Sequence, residues 1–306
     1  MKLGLVCISE ILCDNKKLTS KTMTRKGFNS VSREEALNIL SARILHNTHV
    51  VYATINSLID NGIRHYRISS NIFPCITDPT LGLCIDHLPD IVAIRANLLD
   101  AGNTARSHGV SLSCHPDQFN VLASYNEEVI ARTIKELNHQ SDVLDMMGCA
   151  QDLSSPMCLH LNKSPDLKRE SVNDYHKRFL QSLSCCNAGV CARLVLENED
   201  KGYWNAENLY HWFGQHRALV YDNLHDSCNP SFESSKAVAL FKSTWRNHAP
   251  IFHWSEGLVN KPRSHADRAS HVPSIVFANL DCIWEVELKD KDYAILEILE
   301  NYDRIK

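Results

Sequence analysis

The stretch LVLENEDKGYWNAENLYHWFGQHRALVYD, residues 194–222, contains one full unit of the pattern that decides the fold. Two short apolar runs, LVLE at 194–197 and LVYD at 219–222, each end on a carboxylate. Between them, residues 205–216 place apolar side chains at helical spacing. A strand, an amphipathic helix and a second strand form a β–α–β unit, which predicts parallel strands with the helix packed across them.

The same alternation extends in both directions and gives eight β-rich runs along the chain. These strands are predicted at Leu3–Ile8, His65–Ser69, Val110–Cys114, Met157–Leu161, Leu194–Glu197, Ala218–Asp222, Pro250–Trp254 and Ile283–Glu287. Eight parallel strands close a barrel, so the expected fold is an α/β protein of the (β/α)8 TIM-barrel class, a single domain over residues 1–306. An open doubly wound sheet is the alternative, because it uses the same alternation of strands and helices. The presence of the eighth strand decides between the two folds.

The segments between the strands carry apolar residues at helical spacing. The first predicted helix begins after Ser32, which can cap it together with Glu35, and continues to Ile59. Further helices are predicted at Leu88–His108, Glu127–Met147, Asn173–Cys185, Asn205–His216, Ser234–Asn247 and Asp292–Tyr302. The polar segment Ser264–His271 is interpreted as a long loop between a strand and the next helix.

The composition predicts a soluble protein with a large buried core. The chain has 306 residues, 44% of them hydrophobic, and a formal net charge of -4, so a nucleic-acid partner would need a local basic patch. Twelve cysteines are scattered, and the cluster Cys185, Cys186 and Cys191 lacks a zinc-type spacing, which favours reduced thiols. No signal peptide or membrane span is predicted. We expect a cytoplasmic, nucleoid-associated or nuclear monomer that is neither secreted nor bound to a membrane.

Six successive strands deliver a metal-capable side chain at their carboxyl ends, where barrel enzymes build their active sites. These residues are His115, His160, Glu197, Asp222, His253 and Glu287. A single histidine at a strand end is more often part of the core or of a loop, but six strands in a row indicate a metal site. The carboxylate that ends LVLE is costly to bury without a partner, and an arginine or lysine could serve in place of a metal ion.

The types of side chain in this set indicate which ions fit it. Imidazole and carboxylate without a thiolate favour Mn²⁺, Zn²⁺ or Fe²⁺. The set is too large for one ion, so two or three are expected, with Glu197 bridging neighbouring ions. Clustered ions activate water, bind a phosphoryl group and stabilise a leaving oxygen, which is what phosphodiester hydrolysis needs.

Several sequence motifs occur in a specific order along the chain. They are RISSNIFP (67–74), LSCHPDQF (112–119), LVLENED (194–200), VYDNLHDSCNP (220–230), IFHWS (251–255), RSHAD (263–267) and VELKDKD (286–292). From about residue 2 to about residue 290, this set resembles the UV-damage DNA endonucleases, barrel relatives of the endonuclease IV abasic-site nucleases. The resemblance implies a TIM-barrel nuclease that uses divalent ions, with Mn²⁺ expected and Zn²⁺, Fe²⁺ or Mg²⁺ as alternatives.

The resemblance also assigns metal ligands by position. They are His115, His160, Glu197, Asp222, His225, His253, His265 and Glu287, and Glu197, Asp222 and Glu287 carry the catalysis. A further family ligand, a histidine, falls on Asp78, where a carboxylate can still bind an ion. A modified metal-bridging lysine of the family falls on Ile251, which cannot bind a metal.

Other positions concern the DNA. A Gln-Tyr pair that probes the lesion in the family corresponds to Gln118 and Phe119; Phe119 keeps a face for stacking on bases, and packing on the barrel rim is the alternative. A family tyrosine aligns with Leu5. Five cations are candidates for phosphate contacts, namely Lys163, Arg246, Lys261, Arg263 and Arg268. Asn198 and Glu199 are candidates to orient the ligands.

Three functional hypotheses follow. The leading one is a metal-dependent DNA repair endonuclease that binds damaged double-stranded DNA and cleaves the phosphodiester 5′ to UV or other helix-distorting lesions. The second is a sugar isomerase or multinuclear iron oxidase that acts on a small molecule or peptide, because the fold alone does not separate these chemistries. The third is a catalytically inactive binder of damaged DNA, motivated by Asp78 and Ile251.

Overall fold

The computed structural model describes the backbone of residues 1–305, and the side chains of all of these except Lys16 and residues 303–305. The strands are β1 (Lys2–Val6), β2 (His65–Ile68), β3 (Ser111–Cys114), β4 (Met157–Leu159), β5 (Leu194–Glu197), β6 (Leu219–Val220), β7 (Ile251–Trp254), β8 (Gly257–Leu258), β9 (Lys261–His265) and β10 (Ile283–Val286). The α-helices are α1 (Glu10–Lys16), α2 (Arg25–Phe28), α3 (Arg33–Asp60), α4 (Ile91–Ser107), α5 (Glu127–Met146), α6 (Val172–Ser184), α7 (Ala188–Arg193), α8 (Ala206–Phe213), α9 (Asn223–Cys228), α10 (Ser234–Thr244), α11 (Ser274–Phe277) and α12 (Lys291–Ile305).

Eight parallel strands form the central sheet, in the order β6-β5-β4-β3-β2-β1-β10-β7. The two outer strands of this order meet through a parallel bridge between Asp222 and His253, and the backbone N–H of His253 donates to Tyr221 O at 2.9 Å. The eighth predicted strand is present as β10, paired with β1 on one side and β7 on the other. The predicted (β/α)8 barrel is therefore confirmed, and the open doubly wound sheet is wrong.

The strands are short and fully buried, as expected when helices cover a parallel sheet. All four residues of β5 are buried, and Leu194, Val195 and Leu196 are each at most 1% exposed. Burial of such side chains contributes about 2 kcal/mol each. Helix α3 begins where predicted, because the Ser32 side chain accepts a hydrogen bond from the Glu35 backbone N–H at 3.2 Å.

The region predicted as a loop at Ser264–His271 is partly wrong. Its first two residues belong to β9, which forms an antiparallel hairpin with β8 on the loop that follows β7. The strand is exposed or half-buried along its length and reads KPRSH, so it has no apolar alternation that would reveal it. Short helices such as α7 and α9, of six residues each, were likewise not predicted, because they span fewer than two turns.

Two predictions about the chain as a whole can be compared with the structure. All twelve cysteines are free, as the scattered spacing predicted. Over residues 1–305, none of the helices combines the length and apolar character needed to cross a lipid bilayer.

One glycine fixes the contact between α4 and α5. A Cβ atom on Gly102 would lie 1.8 Å from the backbone O of Met147, at the end of α5. A backbone carbonyl that ends a helix cannot rotate away as a flexible side chain would. Gly102 is therefore the residue that allows the two helices to approach each other.

We predict that Gly102→Ala lowers the free energy of unfolding by about 3 kcal/mol, because α4 must move away from α5. Gly27→Ala is the matched control: its new Cβ would lie 3.4 Å from Thr24 Oγ1, an ordinary contact in a helix. The control is expected to leave stability unchanged or slightly raised, by less than about 1 kcal/mol. Urea denaturation of both variants tests this, and equal effects would contradict it.

Candidate metal centre

The carboxyl ends of the barrel strands bring the predicted residues to one face. His115 and His160 lie just beyond the ends of β3 and β4, and Glu197 is the last residue of β5. Asp222 follows β6 and caps α9, where its side chain accepts from the His225 backbone N–H at 2.7 Å. Because the strands are parallel, all these side chains converge on one end of the barrel.

The centre is built around the Glu197 carboxylate, which is 1% exposed. Its Oε2 lies 3.1 Å from His115 Nε2 and 3.6 Å from His160 Nε2. Its Oε1 lies 3.0 Å from His225 Nδ1 and 3.1 Å from His253 Nδ1. Four imidazoles from different elements therefore share one buried carboxylate.

The charges of these groups depend on one another. Burial acts to raise the pKa of the Glu197 carboxyl, but the imidazoles, led by His160 and His253, hold its pKa well below the usual range. Burial lowers the pKa of His160 to about 4, although Glu197 acts to raise it. Burial also acts to lower the pKa of His225, yet Asp222 and Glu197 raise it to about 11. Imidazolium protons thus balance the buried carboxylates, and a cation could replace these protons.

Two buried atoms of the centre lack hydrogen-bond partners among the described residues. They are Asp222 Oδ2 and His253 Nδ1, which lie 3.9 Å apart in residues that are at most 1% exposed. Burial raises the pKa of Asp222 to about 6. Leaving such atoms unpaired costs about 1–3 kcal/mol each, and a metal ion would satisfy both.

Three overlapping groups of side chains could each hold a metal ion, with all ligand atoms of a group within 4.8 Å of one another. They are His115, Cys158, Glu197 and His253; His160, Glu197 and His225; and Asp222, His253 and Glu287. Glu197 belongs to the first and second groups, and His253 belongs to the first and third. Seven of the nine residues predicted as ligands are therefore brought together.

The other two predicted ligands, His265 and Asp78, lie outside these three groups. His265, in β9, lies at the edge of the centre, with Nε2 3.8 Å from Glu287 Oε2 and Nδ1 2.7 Å from Ser255 Oγ. Asp78 is not brought into the centre. Its carboxylate pairs with Arg25 Nε at 2.8 Å and borders a small cavity shared with Phe119. The loop after β2 places Asp78 there, beside the segment that contains Phe119.

A second layer of polar side chains lies beneath the ligands, and sequence reasoning missed it. Glu285 Oε1 lies 2.8 Å from His65 Nε2, and its Oε2 lies 3.0 Å from both Arg67 NH1 and His253 Nε2. The same Arg67 nitrogen lies 2.5 Å from Glu287 Oε1. Glu285 therefore orients the ring of His253, while Arg67 holds Glu287.

A sequence signal for this layer exists. Side chains two residues apart in a strand point to the same face. The pairs Glu285 with Glu287 and Cys158 with His160 follow this spacing, so these two candidate ligands each have a polar residue one layer deeper.

The lesion-probing residues predicted after β3 are exposed. Gln118 lies on the surface, and Phe119 is 77% exposed, so rim packing does not account for the phenylalanine. The Phe119 backbone N–H donates to Asp117 Oδ1 at 2.8 Å, which fixes the turn that presents the ring. Leu5, where the family has a tyrosine, is fully buried in β1.

The predicted phosphate-binding cations divide into two sets. Lys163 follows β4 and lies over the Tyr125 ring, 3.8 Å from its centroid, and Lys261 is exposed on β9. Arg263 and Arg268 face carboxylates, at 3.2 Å from Asp200 and 2.6 Å from Asp290 respectively.

Arg246 was predicted as a phosphate contact, but it does not lie at the carboxyl ends of the strands. It lines a cavity of about 520 Å³ together with Leu194 and Ala218, which lie at the starts of β5 and β6. This is the opposite end of the barrel. Arg246 lies between α10 and β7, and the segment that enters a strand cannot reach the face where strands end.

The two residues after Glu197 support the site. Asn198 accepts from the Asp222 backbone N–H at 2.9 Å and donates to Asp222 O at 3.1 Å, which fixes the end of β6. Glu199 accepts a hydrogen bond from the Asn162 backbone N–H, and burial raises its pKa to about 7. Both side chains therefore position loops around the centre.

Fold and site together define a class: TIM-barrel proteins with a histidine–carboxylate centre at the carboxyl ends of the strands. The sequence matches the UV-endonuclease UvdE family over residues 1–306, and the chain belongs to this family. The resemblance inferred from the motifs is confirmed.

Individual relatives agree with this assignment. A UV DNA damage endonuclease of Bacillus velezensis is 27% identical, over 98% of this chain and 93% of that protein. The crystal structure of SacUVDE superposes with a TM-score of 0.80 at 24% identity, over 100% of this chain and 99% of that one. A D-psicose 3-epimerase from Clostridium cellulolyticum H10 reaches a TM-score of 0.53 at 10% identity, over 98% and 92% of the two chains, and shares the fold alone.

The ion pairs of Arg67 provide a test of the second layer. The Arg67 side chain is 10% exposed and bridges the buried Glu285 carboxylate and the largely buried Glu287 carboxylate, which is 14% exposed. We predict that Arg67→Met, measured with a chelator present, lowers the free energy of unfolding by about 3 kcal/mol or more, because it leaves Glu287 buried without its cation. Arg268→Met is the control, since its ion pair with Asp290 is exposed and contributes at most about 1 kcal/mol.

The loss of stability in Arg67→Met is also expected to depend on pH. In the native protein, burial acts to raise the pKa of Glu287, but Arg67 and His253 lower it to about 2, so the carboxylate stays charged. Without Arg67, burial raises this pKa, and the buried carboxyl takes up a proton as the pH falls. The difference in stability between variant and native protein should then shrink between about pH 7 and pH 4. A constant difference would show that the ion pair is not the cause.

Proposed function

We propose that this protein is a divalent-metal-dependent DNA repair endonuclease that hydrolyses the phosphodiester on the 5′ side of UV or other helix-distorting lesions. The observation that carries the proposal is the buried Glu197 carboxylate with four histidine nitrogens within 3.6 Å. Membership of the UvdE family supports the choice of damaged double-stranded DNA as the substrate, as does the name of the Bacillus velezensis relative.

The residues present fit two or three divalent ions. Glu197 belongs to two of the three groups, so its two oxygens are suited to hold neighbouring ions, whereas His253, with Nε2 paired to Glu285, offers Nδ1 to one ion. Asp222 Oδ2, which has no hydrogen-bond partner in the described part of the chain, supplies an oxygen that an ion can bind. Ions bound there would lower the pKa of water and neutralise charge on the phosphoryl oxygens, as phosphodiester hydrolysis requires. Imidazole and carboxylate donors are compatible with Mn²⁺, and also with Zn²⁺, Fe²⁺ or Mg²⁺.

The other residues of the chain position these ligands. Glu285 accepts from His253 Nε2 and so directs Nδ1 toward Glu197. Asn198 bonds the backbone of Asp222. A ligand whose other atoms are held in this way loses little freedom on binding an ion, which favours binding.

Recognition of damage is proposed for the loop after β3. His115 and Phe119 lie four residues apart after the end of β3, so the exposed ring belongs to the same face of the barrel as the centre. A lesion weakens the stacking of bases, and an apolar side chain can enter such a step at lower cost than in intact DNA. Gln118, exposed next to it, can hydrogen-bond to the bases that are displaced. Lys163 and the exposed Lys261 are the proposed contacts to the DNA backbone.

We predict that the protein loaded with Mn²⁺ nicks UV-irradiated supercoiled plasmid faster than untreated plasmid, and that chelation abolishes nicking reversibly. Glu197→Gln should lower the rate at least about 100-fold, because the shared ligand is lost. Glu207→Gln is the control, an exposed carboxylate on α8. An end-labelled duplex with a single pyrimidine dimer maps the cut. Equal activity on irradiated and untreated DNA at full metal content would contradict the proposal, and damage-specific binding without cleavage would indicate an inactive binder.

A further prediction concerns Phe119. Replacement by Ala should lower cleavage of a lesion in a fully paired duplex by about tenfold, the equivalent of losing one stacking contact. Cleavage should fall less when the lesion faces unpaired bases, because opening the stack then requires less work. Val92→Ala removes another exposed apolar side chain, 81% exposed on α4, and serves as the control. The same loss on both substrates would argue against a role in opening the duplex.

A further inference from the structure

A cysteine side chain enters the candidate centre from β4. Cys158 is 5% exposed, and its Sγ lies 3.4 Å from Glu197 Oε2. Two residues further on, His160 approaches the same oxygen at 3.6 Å. Both side chains therefore point from β4 into the barrel, the thiol one layer below the imidazole. The side chains predicted at the strand ends did not include this thiol.

The thiol lies within reach of an ion shared with three other side chains. The ligand atoms of His115, Cys158, Glu197 and His253 all lie within 4.8 Å of one another. On a tetrahedral ion with bonds of about 2.1 Å to nitrogen or oxygen and 2.3 Å to sulfur, the donors lie roughly 3.5 Å apart. The distance of 3.4 Å between Cys158 Sγ and Glu197 Oε2 already fits. Separations of up to 4.8 Å in the group would close with shifts of about 1 Å.

A second observation points to a ligand at the same place. His253 is 1% exposed, and its Nδ1 has no hydrogen-bond partner among the described residues, although it lies 3.1 Å from Glu197 Oε1. Its other nitrogen is held by Glu285. The ring is thus held in place with Nδ1, a nitrogen that can bind a metal ion, facing the carboxylate of Glu197 and the thiol of Cys158.

We propose that Cys158 is a sulfur ligand to the ion held by His115, Glu197 and His253, and that this position selects Zn²⁺, Fe²⁺ or Co²⁺ over Mn²⁺ and Mg²⁺. On binding, the S–H bond breaks, the proton passes to water and a metal–sulfur bond forms. The other two groups contain imidazole and carboxylate only, so the harder ions fit there. The inference rests on the proposed metal-dependent function. It implies that the centre binds two kinds of ion, one at the position with the sulfur ligand and the harder ions at the other positions.

The neighbouring strand offers a matched control. Cys114 in β3 is 3% exposed, similar to Cys158. The preceding Ser113 hydrogen-bonds Glu285 inside the barrel, so Cys114 points to the opposite face, and it belongs to none of the groups found among the described residues. A buried thiol of the same kind is thus available outside the centre.

Cobalt substitution tests the assignment, because a Co²⁺–thiolate bond gives a near-ultraviolet charge-transfer band that imidazole and carboxylate do not give. The metal-free full chain is titrated with Co²⁺, and the native protein should develop this band. Cys158→Ser should lose the band while keeping the visible absorption of bound Co²⁺, and Cys114→Ser should keep both. The ratio of Zn²⁺ to Mn²⁺ affinity should fall at least about tenfold in Cys158→Ser.

The outcomes separate this inference from the function on which it rests. Bound Co²⁺ without the band in the native protein, or a band that persists in Cys158→Ser, overturns the assignment of Cys158 alone. If the native protein binds none of Co²⁺, Zn²⁺ and Mn²⁺, the proposed metal-dependent function itself is contradicted. If Cys158→Ser does not fold by circular dichroism, X-ray absorption of the native Co²⁺ protein decides, because sulfur at about 2.3 Å is either detected or absent.

Discussion

The structure depends on a charged carboxylate, that of Glu197, placed in the interior of a barrel. An ionised group at 1% exposure is stable only when its neighbours supply opposite charge or hydrogen bonds. Here four imidazoles supply them. They come from the ends of β3, β4 and β7 and from α9, so the same arrangement that neutralises Glu197 also fixes the relative positions of these elements.

The polar interior continues below this ring of ligands as an ordered network. Glu285 contacts His65, Arg67 and His253, and Arg67 in turn contacts Glu287. Each carboxylate therefore has a cationic or hydrogen-bonding neighbour within the barrel. Such a network keeps the ligands in one arrangement before any ion or substrate binds, which is the usual way in which a protein tunes a metal site.

The sequence predicted the barrel and most of the centre for one physical reason. A strand such as LVLE is buried on both faces, so the charged residue that ends it has to lie at the functional end of the barrel. Residues that do not end a strand could not be predicted in this way. Cys158 and Glu285 lie one layer deeper, and only the two-residue periodicity of a strand relates them to the ligands. Asp78 lies in a loop, and its pairing with Arg25 depends on a contact between segments 53 residues apart, which no local pattern reveals.

The barrel closes between β6 and β7 through the bridge that joins Asp222 to His253. These two residues also belong to one of the candidate metal groups, together with Glu287. The seam of the barrel and the candidate metal group therefore share two residues, which contribute their backbones to the seam and their side chains to the group. An ion that binds the folded chain at this position adds RT ln(1 + [L]/Kd) to its stability, so the supply of such an ion in the cell would set how much folded protein persists.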